Sequence, residues 1–154
     1  MLKAAIITDT ATRKSLIIFA IANCILFIIA VISFKYLNLL HFWGLRITNY
    51  VIVTLISIYQ VNRLIRNNGG YVPFLKAFVL TLFTGIFSFM LFAAFIYVYS
   101  FFDPYLAKMF ITGSDDSNRL IPAMIVFFEG SGASIIVALI AMVYASRFED
   151  GETS

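Results

Sequence analysis

The stretch SLIIFAIANCILFIIAVISF, Ser15 to Phe34, runs for 20 residues without a charged side chain and is bracketed by Arg13, Lys14 and Lys35. At about 1.5 Å of rise per residue, such a helix measures roughly 30 Å, the thickness of a hydrocarbon core. A secretory signal would carry a shorter apolar region of about 7 to 15 residues and a small-residue cleavage site. Neither is present, so the stretch reads as a retained first transmembrane helix.

The rest of the 154-residue chain has the same character, being 62% hydrophobic and 12% charged, against about 45 to 50% and 25% in an ordinary globular domain. A body of this size leaves much of its surface exposed, so this apolar content needs a bilayer as its solvent. The net charge of +3 is spread along the chain, which excludes the clustered basic face of a nucleic-acid binder. A single cysteine, Cys24, and a single histidine, His41, exclude an internal disulfide and the usual zinc sets. No cofactor is expected.

Three further spans follow. Ile47 to Asn62 is free of charge, and the second span is placed at Leu45 to Leu64, with Arg46 and Arg63 reaching opposite interfaces. Asn67, Asn68, Gly69 and Gly70 then form a turn, and Pro73 suits the first turn of the next helix. Ala77 to Phe102 carries no charge, which predicts a third span over Ala77 to Tyr99. Tyr105 to Thr112 is expected to form a short interfacial helix between helices 3 and 4. From Leu120 to Ser146 the chain is apolar apart from Glu129. The fourth span is placed at Phe127 to Ser146, with Leu120 to Val126 as an approach along the interface. The expected fold is an all-α, antiparallel four-helix bundle in a membrane, forming one domain.

Cytoplasmic loops carry an excess of Lys and Arg. Lys3, Arg13, Lys14, Arg63, Arg66, Lys76 and Arg147 fall on one side and Lys35, Arg46, Lys108 and Arg119 on the other. Both termini are therefore expected in the cytoplasm. Helices in lipid associate through small residues and a few polar contacts. Gly130, Ser134, Ala138, Ala141 and Ala145 form such a stripe on the fourth helix, with Thr81, Gly85 and Ser88 on the third and Ala20, Asn23, Cys24 and Ala30 on the first. These stripes are expected to close a bundle within one chain, the alternative being a homo-oligomer interface.

Glu129 is the leading candidate functional residue, because an ionisable group at membrane depth is expensive. If its helix starts at Phe127 it lies at the rim, which is the preferred placement. If the helix starts at Leu120 it stands about 13 Å along and inside the hydrocarbon, paired with Asn23, Arg46 or a water cavity. The flexible run Glu129, Gly130, Ser131, Gly132, Ala133, Ser134 suits either a helix start or a broken helix around an ion or proton site, with Ser131 and Ser134 as polar contributors. Arg63, Arg66 and Lys76 are candidate contacts to lipid headgroups, although three cations make a thin patch. Asp115, Asp116, Ser117 and Asn118 lack the spacing of a calcium loop and read as a solvated turn. Cys24 reads as a small packing residue and His41 as an interfacial one. The spans hold no pair of Asp, nor Ser with a base, for intramembrane hydrolysis, so no enzymatic activity is expected.

The run Asn67, Asn68, Gly69, Gly70, Tyr71, Val72, Pro73, Phe74, Leu75, Lys76, Ala77, Phe78 resembles the central hairpin of a widespread bacterial family of small four-helix inner-membrane proteins whose function is not known. The resemblance implies two helices on each side of this turn and a location in the bacterial inner membrane, and it brings no catalytic residue. The connection between helices 3 and 4 departs from the family, being short where many relatives carry a longer segment rich in Met and Glu. The expected role is contact with protein or lipid partners in the membrane. The alternative is a small transporter or channel built on Glu129.

Overall fold

The computed structural model describes residues 10–37, 42–70, 72–103 and 120–147, which form four helices. These are α1 (Thr10–Tyr36), α2 (Phe42–Asn67), α3 (Phe74–Tyr99) and α4 (Leu120–Ser146). The expected interfacial helix at 105–112, His41 and the acidic turn at 115–118 lie outside the described residues.

The break between α2 and α3 follows from its residue types. Gly69, at φ +73°, and Gly70, at φ +100°, take the left-handed conformation that L side chains avoid. The Gly70 N–H then donates to the Ile65 carbonyl at 2.9 Å, satisfying one of the last carbonyls of α2. Pro73 stands at the N-cap, one residue before the helical turn expected to hold it, and its carbonyl accepts from the N–H groups of Lys76 and Ala77.

The start of α4 differs from expectation. Leu120 to Val126 is not a separate approach but the first two turns of one unbroken helix. Pro122 is the third residue of that helix, where a missing N–H breaks no intrahelical bond. The helix also continues through Gly130 and Gly132, so no broken-helix site forms there.

Cross-helix pairs establish an up-down-up-down topology. Lys35 meets Tyr99 and Asn23 meets Ser88, so α1 and α3 run parallel. Tyr50 meets Glu129 and Asn62 meets Tyr144, so α2 and α4 also run parallel. Gly85 lies against Ser134 and Phe89 against Gly130, which makes α3 and α4 antiparallel. The α3–α4 interface is the most extensive in the bundle. The small residues of α4, Gly130, Ser134, Ala138, Ala141 and Ala145, are all buried within the one chain.

Among the described residues two apolar clusters fill the interior. One is built on Phe27, Phe89, Phe92 and Ile96, with the Phe27 ring stacked 5.0 Å from Phe89. The other joins Val61, Ile65, Val72, Ala77, Ala141 and Ala145 near the α2–α3 turn. Polar side chains also lie inside: Asn23, Ser57, Gln60, Thr81, Thr84, Ser88 and Ser134 are each at most 1% exposed. The outside is apolar, with Ile17, Ile18, Ile21 and Ile25 of α1 and Ile47, Val51, Leu55 and Tyr59 of α2 all exposed.

Among the described residues three helices, α1, α3 and α4, are long and apolar enough to cross a membrane. The 26-residue α2 has the length but a more polar sequence. Its polar residues Asn49, Ser57 and Gln60 are turned inward and buried, while Ile47, Val51, Leu55 and Tyr59, exposed and recurring every four positions, form one apolar face.

Candidate functional site

Glu129 stands nine residues into α4, about 13 Å from its start. The neighbouring helix α2 supplies both of its partners. The Arg46 guanidinium approaches Oε2 at 3.1 Å, and the Tyr50 hydroxyl donates to Oε1 at 2.5 Å. Arg46 and Tyr50 are four residues apart and so share one face of α2, which presents a cation and a hydroxyl to the two oxygens of one carboxylate. Glu129 retains 30% side-chain exposure and Arg46 22%. The cluster is neutral overall, with both carboxylate oxygens engaged.

Beside it lies a cavity of about 20 Å³ bounded by Arg46, Asn49, Tyr50, Phe89, Val126, Glu129 and Gly130. Such a space holds about one water. Asn49 Oδ1 is buried there and has no hydrogen-bond partner among the described residues. Phe89 and Val126 close the apolar side.

The other residues expected beside Glu129 go elsewhere. Asn23 donates through Nδ2 to Ser88 Oγ at 3.2 Å, on α3, and the Ser88 hydroxyl donates to the Thr84 carbonyl at 2.6 Å. Ser134 donates to the Gly130 carbonyl at 2.8 Å and packs against Gly85. Ser131 Oγ is buried without a hydrogen-bond partner among the described residues. Of the three partners weighed for the acid, the structure selects Arg46. Tyr50 was missed, although its spacing from Arg46 would have placed it on the same face of a helix.

A polar seam continues down the axis. Gln60 Nε2 donates to Thr84 Oγ1 at 3.1 Å, and Tyr144 donates to Asn62 Oδ1 at 2.7 Å. Each contact joins two helices, and interhelical hydrogen bonds of this kind fix neighbours in lipid. Near the end opposite the α2–α3 turn, Lys35 donates to Asp103 Oδ2 at 2.5 Å and to the Tyr99 hydroxyl at 3.2 Å, tying the close of α1 to that of α3.

The expected headgroup contacts separate in the structure. Arg63 and Lys76 line a pocket at the end of the bundle that holds the α2–α3 turn, together with Lys14, while Arg66 is exposed on α2 and does not line it. The sequence marks Lys14 as a bracket of the first span and a topological charge, not as a headgroup contact.

No family model matches the chain, and neither a curated protein nor a solved structure matches it. The likeness carried by 67–78 therefore rests on those residues alone.

Proposed function

We propose that this chain is an integral membrane protein with four spans and both termini in the cytoplasm, acting through protein or lipid contacts as a small subunit or stabilising partner. The observation that carries this reading is the distribution of side chains: Asn23, Gln60, Thr84 and Ser88 are inside while isoleucine, leucine and phenylalanine cover the outside. Water would reverse that order, whereas lipid tails favour it. The inward polar face of α2 supports its inclusion as the fourth span, because only its apolar residues would meet lipid. Arg13, Lys14, Arg63, Arg66, Lys76 and Arg147 gather at the end bearing the amino end of α1, the α2–α3 turn and the carboxyl end of α4. That gathering supports a cytoplasmic assignment for this end. The resemblance of 67–78 adds the bacterial inner membrane as the proposed location.

A transport role for Glu129 is the weaker reading. Its charge is answered within the chain by Arg46, and the adjoining cavity has room for about one water. Catalysis is not proposed. The test is reconstitution into liposomes, combined with native mass spectrometry after gentle extraction from the source membrane. The expected result is no proton or alkali-cation flux above protein-free liposomes, with a lipid or polypeptide partner retained on the chain. Flux abolished by Glu129→Gln, or a chain always released bare, would overturn the proposal.

A further inference from the structure

Resting on the membrane reading above, we infer that the pocket formed by α1, α2 and α3 beside the α2–α3 turn binds the phosphate of an anionic phospholipid headgroup. The pocket has a volume of about 330 Å³ and is lined by Thr12, Lys14, Ser15, Ile18, Arg63, Leu64, Asn67, Asn68 and Lys76. That size lies within the range of small-molecule sites. Lys14, Arg63 and Lys76 come from three different helices, and among the described residues of the lining there is no carboxylate. Among the described residues none of the three forms a salt bridge.

Cations gathered around one space repel one another, and an anion placed among them relieves that repulsion. The backbone adds to the same field. Thr12 and Lys14 lie near the start of α1, and Lys76 is the third residue of α3, so two helix amino ends with their positive partial charge face this region. The Arg63 guanidinium sits 6.0 Å over the Phe19 ring, which holds its stem against α1. The Ser15 hydroxyl and the amides of Asn67 and Asn68 supply neutral hydrogen-bonding groups of the kind a headgroup ester offers partners for.

The apolar side of the pocket distinguishes a lipid from a free anion. Ile18 and Leu64 belong to the lining, and Ile18 continues into Ile21 and Ile25 along the exposed face of α1. Those positions follow a helical repeat, so a phosphate seated among the cations would lead its acyl chain onto a continuous apolar track. Basic pockets between transmembrane helices at the cytoplasmic side are established sites for anionic headgroups.

The test carries the full chain in vesicles of phosphatidylcholine, with or without phosphatidylglycerol. Brief acetylation of amines is read by mass spectrometry at Lys14 and Lys76, with Lys35 at the opposite end as internal reference. Phosphatidylglycerol is expected to slow modification of Lys14 and Lys76 but not of Lys35. At about 1 kcal/mol per basic residue near the surface, Arg63→Gln should raise the lipid level needed for half-protection of Lys14 about fivefold, whereas Arg63→Lys retains protection. Equal protection by inorganic phosphate in phosphatidylcholine vesicles would make free phosphate the ligand and overturn the lipid assignment. A chain that floats with the vesicles yet shows no protection in either arm overturns the pocket while leaving the membrane reading intact. A chain that fails to float overturns the membrane reading, and the lipid site falls with it.

Discussion

Phe89 of α3 lies with its ring in the space that a β-carbon on Gly130 of α4 would occupy. The same device recurs one turn away, where Ser134 of α4 fills the space beside Gly85 of α3. Each helix thus offers a glycine to a larger residue of the other, which brings the two backbones together along their most extensive interface. Gly130→Ala is expected to lower stability by about 1 to 3 kcal/mol through overpacking. Phe89→Leu in the same chain should recover part of that loss, because a smaller side chain yields the space. Reversible unfolding in detergent micelles measures both. Equal stability of Gly130→Ala and wild type would show that the close approach does not constrain the bundle.

The ion pair between Arg46 and Glu129 is partly desolvated, so losing one member should cost more than losing both. Removing one partner from a fully buried pair costs about 3 to 5 kcal/mol. With 22% and 30% side-chain exposure, a smaller cost of about 1 to 3 kcal/mol is expected for Glu129→Gln or Arg46→Gln. The double variant should be no less stable than the worse single one. A double-mutant cycle supplies the coupling energy, and a value near zero would mean that the pair does not hold α2 to α4.

The helices and their main break were legible because their signals are local. Ser15 to Phe34 is uncharged, and Asn67 to Gly70 followed by Pro73 combines the residue types that end one helix and begin another. The start of α4 was not legible, since Pro122 and two glycines resemble breakers in sequence. In the fold, Pro122 occupies a position where no intrahelical bond is lost, and Gly130 serves the Phe89 contact. The partner of Glu129 depended on α2 and α4 being parallel neighbours, which no local pattern reveals. For the same reason Lys14, and not Arg66, joins Arg63 and Lys76: pocket membership depends on the phases of three helices.

Gly69 offers a test of backbone conformation separated from packing. A β-carbon there meets nothing within 4 Å, but φ is +73°. Gly69→Ala is therefore expected to cost about 1 to 2 kcal/mol from the left-handed conformation alone. Gly69→Asn should cost less, because Asn tolerates this region better. The order Gly, Asn, Ala in thermal stability checks the reasoning, and Ala equal to Gly would contradict it.

The internal contact between Asn23 and Ser88 separates a packing role from a polar one. Their hydrogen bond joins α1 to α3 in the bundle interior, and both residues are fully buried. Interhelical hydrogen bonds in membranes average about 0.6 kcal/mol, so Ser88→Ala is expected to destabilise by roughly that amount. Asn23→Ala should cost more because it also opens a void in a filled core. The cycle combining the two isolates the hydrogen bond from the void, and its coupling term should again be about 0.6 kcal/mol. A coupling of zero would reduce Asn23 to a space-filling residue. Its buried Oδ1 has no hydrogen-bond partner among the described residues, so Asn23→Leu, with the same branching and without polar atoms, is expected to be neutral or stabilising. Marked destabilisation by Asn23→Leu, measured by unfolding in micelles, would show that the seam requires its polar atoms and not only their volume.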